Sequence, residues 1–402
     1  MRNADEDITR DLAGQSTVLR RLAPLCVAMF TGYLAVSMPL PVVALLVHDQ
    51  LGFGTVVAGL AVGLQPLANL AMRPWAGRAV DRTGAKPIFV RGLCLATAAN
   101  LIALASTAAD APLLALAILL AGRIVLGIAE SLIITGILTW AVGRAGPGRA
   151  GQAISWNGVA QYSALAAGAP VGVLLFNTGG FATLSVAATV VPLIAIAIVT
   201  PLAALLPSGG VRSPLRSVVA RVFGPGSLLG LAGLGFAALT TFASLMFAAR
   251  GWPGGGLALT AFGMAFAGAR LIVGHLPDRL GGMRVAAGAM GVEAIGQLTL
   301  WLAPSPAIAL TGAAITGIGC SLIFPSLALE ALRQVGPQDR GTALGAFAAF
   351  QDLALGIAGP LLGVLILFGN EGTVFLGGCI AAVLGAAICS AAQRRLPYRP
   401  AT

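Results

Sequence analysis

Apolar stretches long enough to cross a lipid bilayer recur along the whole chain, and nothing else in the sequence restricts the fold so strongly. They run at 22–47, 55–76, 88–107, 113–142, 151–176 and 180–206, and again at 226–249, 256–276, 285–303, 306–332, 341–368 and 372–392. At 1.5 Å of rise per residue, a helix of about 20 residues spans the roughly 30 Å hydrocarbon layer. Inside that layer every backbone polar group needs an internal partner, which makes each stretch a helix. Only 9% of the 402 residues are charged and 57% are apolar, whereas a soluble domain carries about 25% charged residues. A soluble enzyme is thereby excluded. The predicted fold class is an all-α membrane protein with twelve transmembrane helices in two six-helix, pseudo-symmetric bundles.

The predicted boundaries are a cytoplasmic tail at 1–21, an N-terminal bundle at 22–206, a cytoplasmic linker at 207–225, a C-terminal bundle at 226–392 and a tail at 393–402. The first segment mixes Arg2, Asp5, Glu6, Asp7, Arg10 and Asp11 and has no apolar core, so it reads as a polar tail and not a signal peptide. The linker carries Arg212, Arg216 and Arg221 among Pro207, Gly209, Gly210 and Pro214. Positive residues sort strongly to one side of the predicted spans. Of 24, only Arg250 falls in an opposite loop and only Arg123 within a span, which predicts both termini in the cytoplasm. The net charge of +10 builds no basic face, since the arginines are scattered singly or in pairs, and no nucleic acid is expected as a partner. The 54 glycines suit close packing of helices in lipid. Cys26, Cys94, Cys320, Cys379 and Cys389 show no metal or redox spacing and read as packing residues.

One loop occurs twice. Arg73, Gly77, Asp81, Arg82 and Gly84 match Arg270, Gly274, Asp278, Arg279 and Gly281 at a constant offset of 197, followed by Lys86 and, one place out of register, Arg284. A second register of 190 relates Gly127, Ile128, Ser131, Leu132 and Ile133 to Gly317, Ile318, Ser321, Leu322 and Ile323. Pro147, Gly151, Gln161 and Pro170 match Pro337, Gly341, Gln351 and Pro360 in that same register. The halves are therefore parallel repeats, related by an axis along the membrane normal.

The duplicated Gly-x-x-x-Asp-Arg-x-Gly loop, Gly77 to Gly84 and Gly274 to Gly281, resembles the cytoplasmic signature of the major facilitator superfamily, over about residues 22–392. Arg123 and Gly127 resemble its fourth-helix motif associated with proton coupling. Its fifth-helix antiporter motif is half present as Ala169, Pro170, Val171 and Gly172, and a better copy is Gly359, Pro360, Leu361, Leu362 and Gly363 in the eleventh span. Gly127 to Ser131, with Thr135, Gly136, Trp140, Trp156, Asn157 and Gly158, is similar to bacterial sugar-efflux and drug-efflux permeases. The resemblance implies alternating access in a bacterial inner membrane, with both bundles moving about a central site, and makes Gly77, Asp81, Arg82 and Gly84, with Gly274, Asp278, Arg279 and Gly281, gating residues of a cytoplasmic latch.

Charged groups inside spans cost several kcal/mol and are functional candidates by default. Arg123 and Glu130 are seven residues apart, about 700° of helix rotation, and so share a face about 10.5 Å apart along the axis. They read as a proton-coupling pair, or alternatively as a structural ion-pair network. Cys320 stands at the repeat position of Glu130, which favours a functional acid over a symmetric brace. Asp352, matched by Tyr162, is the second proton-coupling candidate. Glu293 reads as structural or lipid-edge, and Glu330 as solvated. Tyr33, Gln65, Asn69, Asn157, Gln161, Thr240 and Thr241 are substrate-binding candidates, each also explicable as a helix–helix hydrogen bond. Pro39 and Pro41 are expected to interrupt the first helix. His48 and His275 are expected in loops at opposite faces, and with no acidic or thiol cluster they offer no catalytic or metal constellation, so no enzyme, metal or cofactor is expected. Duplicated halves with carboxylates at mid-membrane suit a transporter better than a channel or receptor. The expected activity is export of a small organic solute by a monomer coupled to protons, with proton-driven uptake of a sugar or organic acid as the alternative.

Overall fold

The computed structural model describes residues 22–146, 149–205, 215–336 and 340–395, and every regular element among them is helical. The helices are α1 (Leu22–Gln50), α2 (Thr55–Thr83), α3 (Ala85–Ala105) and α4 (Pro112–Ala145). The helix Ala150–Val199 is broken at Gly180, where φ is 72° and ψ −173°, into α5 (150–179) and α6 (181–199). There follow α7 (Leu215–Ala249), α8 (Leu257–Val273), a short turn Leu276–Leu280, α9 (Gly282–Leu302), α10 (Pro306–Arg333), α11 (Arg340–Ile366) and α12 (Thr373–Arg395). Ten helices among the described residues are long and apolar enough to cross a membrane; the merged pair counts as one, and α8 with 17 residues falls short.

Three local features differ from the sequence reading or sharpen it. α7 begins at Leu215, so Arg216 and Arg221 are helical residues, although the sequence reading puts them in a linker. The first helix turns at Pro39, restarts at Leu40 and ends in a π-helical turn, Leu46–Gln50. Proline supplies no N–H to the helix ladder, which is why the interruption falls there. His48 lies in that helical turn and not in a loop, and its Nδ1 meets the Phe53 carbonyl at 2.9 Å. Lastly, Gly84 and Gly281, the final glycines of the two signature loops, cap the preceding helical segments at φ 91° and 88°. Residues with a Cβ rarely adopt that backbone, which explains why the signature ends in glycine in both copies.

The repeat is visible in contacts as well as in letters. A Cβ on Gly127 of α4 would run into the Gln65 carbonyl of α2, and one on Gly317 of α10 would run into the Phe262 carbonyl of α8. These are the same contact at offsets of 190 and 197. Both bundles thus depend on backbone-to-backbone approach that a larger residue forbids.

The cores reveal how the bundles meet. At the end bearing the signature loops, each half has its own: Leu22, Met29, Phe89, Ile133 and Trp140 belong to one, and Val222, Met290, Ile323 and Phe347 to the other. Toward the opposite end a single core spans both halves, joining Val43, Val47 and Phe181 to Phe242, Phe247 and Phe262. There α2 and α11 press glycine to glycine, with Gly59 against Gly359 and Gly63 against Gly356, and Thr55 Oγ1 donates to the Gly363 carbonyl at 3.1 Å. On the other flank Thr260 Oγ1 of α8 donates to the Ala166 carbonyl of α5 at 2.9 Å, and Gly256 and Gly263 pack on that same helix. Toward the signature end the same faces part: Gly158 on α5 and Gly345 on α11 have nothing within 4 Å of where a Cβ would stand. The molecule is closed at one end and opens as a cleft at the other.

If glycine contact holds this end shut, Gly59→Leu and Gly359→Leu force α2 from α11. A cysteine placed at Thr55 in a cysteine-free background is then expected to react with an impermeant maleimide faster than in the unaltered helix pair. Equal rates would show that the glycines do not set the closure. Separately, Gly84→Ala is expected to lower stability by about 1–3 kcal/mol through backbone strain, read as a lower Tm in detergent, while Gly345→Ala, in open space, is expected to leave it nearly unchanged.

Candidate functional site

The polar residues of the spans gather where the shared core gives way to the cleft. Gln65, Asn69 and Arg73 occupy one stripe of α2 at four-residue spacing, and α4 lays its own stripe, Arg123, Gly127 and Glu130, beside it. Gly127 makes this possible, because its missing side chain lets α4 close onto the Gln65 backbone. Arg123 Nε donates to the Ala61 carbonyl at 3.2 Å, and Glu130 accepts from Gln65 Nε2 at 2.8 Å and from the Tyr33 hydroxyl at 2.7 Å. Arg123 and Glu130 share a face, as their spacing requires, but form no ion pair with each other among the described residues. Arg123 is 3% exposed and its two terminal nitrogens have no hydrogen-bond partner among the described residues, while its charge and that of Glu130 still act on one another.

Glu130, 7% exposed, is thus held by two neutral donors from α1 and α2. Such donors satisfy the lone pairs of a carboxylate, and since an amide and a phenol carry no charge, either protonation state can be accommodated without a countercharge bonded to it. Gln161 of α5 stands beside the Tyr33 hydroxyl, so four helices of the first half converge on this acid.

Asp352 of α11 pairs across the cleft with Arg73 Nε of α2, and Asn69 Nδ2 approaches the same carboxylate at 3.5 Å. This ion pair joins the halves, and it lies where the glycine contacts end. The Arg73 side chain is 19% exposed, so it reaches the cleft. Its guanidinium also feels Glu130, which puts one positive charge within range of two acids, one in each half. Sequence reasoning gave Arg73 only a place among the loop charges. The stripe of Gln65, Asn69 and Arg73 was the available signal that it points inward with the other two.

The remaining candidates divide. Asn157 is buried on α5. Thr240 donates to the Phe236 and Ala237 carbonyls of its own helix, at 3.0 and 3.2 Å, and Thr241 is buried beside the shared core. An aromatic group that the sequence did not single out sits nearer the apex: Tyr162 stacks on Phe266 with centroids 3.7 Å apart and contacts Phe236 and Phe262 at 6.3 Å. Tyr162 occupies the repeat position of Asp352 and reaches Gln351, its neighbour. Of the gating candidates, Gly77 and Asp81 are half-buried and Arg82 and Arg279 exposed, Gly84 and Gly281 make the turns described above, Gly274 packs on the Arg270 carbonyl, and the Asp278 side chain lies outside the described residues. Lys86 braces its helix: its Nζ donates to the Thr200 and Leu202 carbonyls at 2.7 and 2.6 Å, and lies 6.0 Å from the centre of the Trp140 ring. Glu293 is not at the lipid edge, being 0% exposed between helices.

Comparison with known proteins agrees with this architecture. The family model of the Major Facilitator Superfamily matches residues 25–255 and 230–401. An MFS-type transporter of Salmonella typhimurium is 45% identical over 362 residues, covering 90% of this chain and 93% of its own. One from Pseudomonas aeruginosa is 43% identical over 390 residues, 96% of each chain. Among solved structures, the nucleoside transporter NupG gives a TM-score of 0.75 at 14% identity, over 92% of this chain and 99% of its own. The human organic anion transporter MFSD10 gives 0.63 at 15%, with the same coverage. At such identities these structures speak for the fold alone.

The Arg73–Asp352 pair generates a stability test. Removing one member leaves the other without its bonded partner, so Asp352→Asn is expected to cost about 1–3 kcal/mol, the cleft and the Glu130 charge limiting the loss at Arg73. The double variant Arg73→Gln with Asp352→Asn is expected to recover most of that loss, measured as thermal stability in detergent; additive losses would show that the two do not act as a pair.

Proposed function

This chain belongs to the major facilitator superfamily, and on that premise we propose that it is a proton-coupled secondary transporter that exports a small organic solute by alternating access. Twelve helices cross the membrane in this reading, with α5 and α6 separate across the Gly180 break and α8 the short remaining span. The bundles are residues 22–206 and 226–392, the signature loops and both termini face the cytoplasm of a bacterium, and the membrane is its inner one. The cleft then opens inward.

The observation that carries the reading is the arrangement at the apex: an acid bonded only to neutral donors, and one arginine within range of it and of an acid in the opposite half. With a proton on Glu130, Arg73 serves Asp352 alone and ties α2 to α11. When Glu130 is ionised, it competes for the same guanidinium and loosens that tie, while offering a negative charge to substrate. Proton and substrate then exclude each other at one carboxyl, so the inward proton gradient drives export. Tyr33, Gln65, Asn69, Asn157 and Gln161 line the substrate's path. Thr240 and Thr241 stand behind it, supporting α7. The signature loops, through Asp81 and Arg82 and their repeat partners Asp278 and Arg279, latch the cytoplasmic side when the cleft faces outward.

The opposite direction, uptake of a sugar or organic acid, is favoured by one feature: α5 carries only half of the glycine-proline antiporter motif, at Ala169 to Gly172. Accumulation of candidate solutes in cells with and without the gene separates the two. For coupling itself, proteoliposomes carrying Glu130→Gln are expected to lose proton-driven flux and keep substrate exchange down its own gradient. Undiminished proton-driven flux would remove Glu130 from the mechanism.

A further inference from the structure

The second half holds a buried acid that the apex mechanism does not use. Glu293, on α9, is 0% exposed, and its carboxyl oxygens have no partner but the Cys320 thiol among the described residues. One turn on, Gln297 is equally buried; its amide nitrogen donates to the Gly235 carbonyl at 3.1 Å, and its oxygen is unpartnered among those residues. Gly235 of α7 and Gly378 of α12 press directly on these two side chains, and Gly319 of α10 presses on the Glu293 backbone, so no metal ion with its ligand shell fits among them. A proton does.

Cys320 of α10 stands beside the Glu293 carboxyl. It occupies the repeat position of Glu130, is half-buried, and lies within electrostatic range of Tyr162 in the cleft. The acid missing from that position in the second half is therefore supplied from behind, by α9. Other charges on the packed helices are remote or engaged. Arg284 is nine residues away along α9, about 13 Å, Glu330 and Arg333 of α10 pair with each other at the signature end, and Arg221 of α7 is also there. Arg270 of α8 donates to the Ser321 carbonyl. On α12, Cys379 and Cys389 are thiols that bring no positive charge.

We propose that Glu293 is a second proton-binding acid, enclosed in the C-terminal half and exchanging its proton with the central cleft on the side where Cys320 stands. An unpaired carboxylate in such surroundings is untenable, whereas the neutral acid is accommodated. Binding and release make and break one carboxyl O–H bond, with water of the cleft as donor and acceptor. The inference does not depend on Glu130 carrying a proton.

Infrared spectra of the full-length protein in lipid nanodiscs at neutral pH test it. The carbonyl band of an un-ionised, buried carboxylic acid is expected in the wild type and in Glu130→Gln, absent from Glu293→Gln and displaced in Glu293→Asp, which reports even if the glutamine variant does not fold. On transfer to heavy water the band is expected to shift while the protein stays folded, and severalfold faster in Cys320→Ala. A Glu293→Gln or Glu293→Asp spectrum identical to the wild type would overturn the proposal. So would a band that exchanges only on unfolding, or an exchange rate indifferent to Cys320→Ala.

Discussion

One guanidinium within range of two carboxyl groups from opposite halves is the interaction on which the rest of this molecule turns. Arg73 is bonded to Asp352 across the cleft and lies in the field of Glu130 within its own half. Charges so placed cannot be left alone, because desolvation without a partner costs several kcal/mol. In the proposed cycle, movement of a proton on either acid changes which groups the arginine serves. In that proposal the redistribution acts where the two bundles touch, and a bundle moving as a body carries it to its far end.

The close packing around that pair is what makes it consequential. Lipid gives helices no hydrophobic reason to associate, and contact energy comes from small residues that let backbones approach. The α2–α11 and α5–α8 seams follow this rule, using Gly59, Gly63, Gly356 and Gly359 on one side and Gly256 and Gly263 on the other. Each half, by contrast, keeps an apolar core of its own at the signature end.

Much of this was legible in the letters. Span positions followed from the apolar runs, and the duplicated Arg73-to-Gly84 loop fixed the repeat that Gly127 and Gly317 now show in three dimensions. The shared face of Arg123 and Glu130 followed from helical period. Partners across helices did not, because periodicity assigns a face and says nothing of which neighbour meets it. Hence the reading gives Glu130 the face it shares with Arg123, and the structure adds its partners, Tyr33 and Gln65. Glu293 reads as structural or lipid-edge in the sequence because the resemblance makes its span peripheral; packing buries it completely, with Gly235 of α7 against its carboxyl. Thr240 illustrates a further limit, since a hydroxyl in a helix can satisfy itself on its own backbone.

The central claim is that the protonation state of Glu130 governs the distance between the halves. Spin labels at Gly54→Cys and Phe368→Cys, both exposed at the closed end, just before α2 and just after α11, report that distance by pulsed electron resonance in nanodiscs across a range of pH. The account predicts a distribution that changes with pH in the wild type and is fixed in Glu130→Gln. A pH response in Glu130→Gln equal to that of the wild type would contradict it.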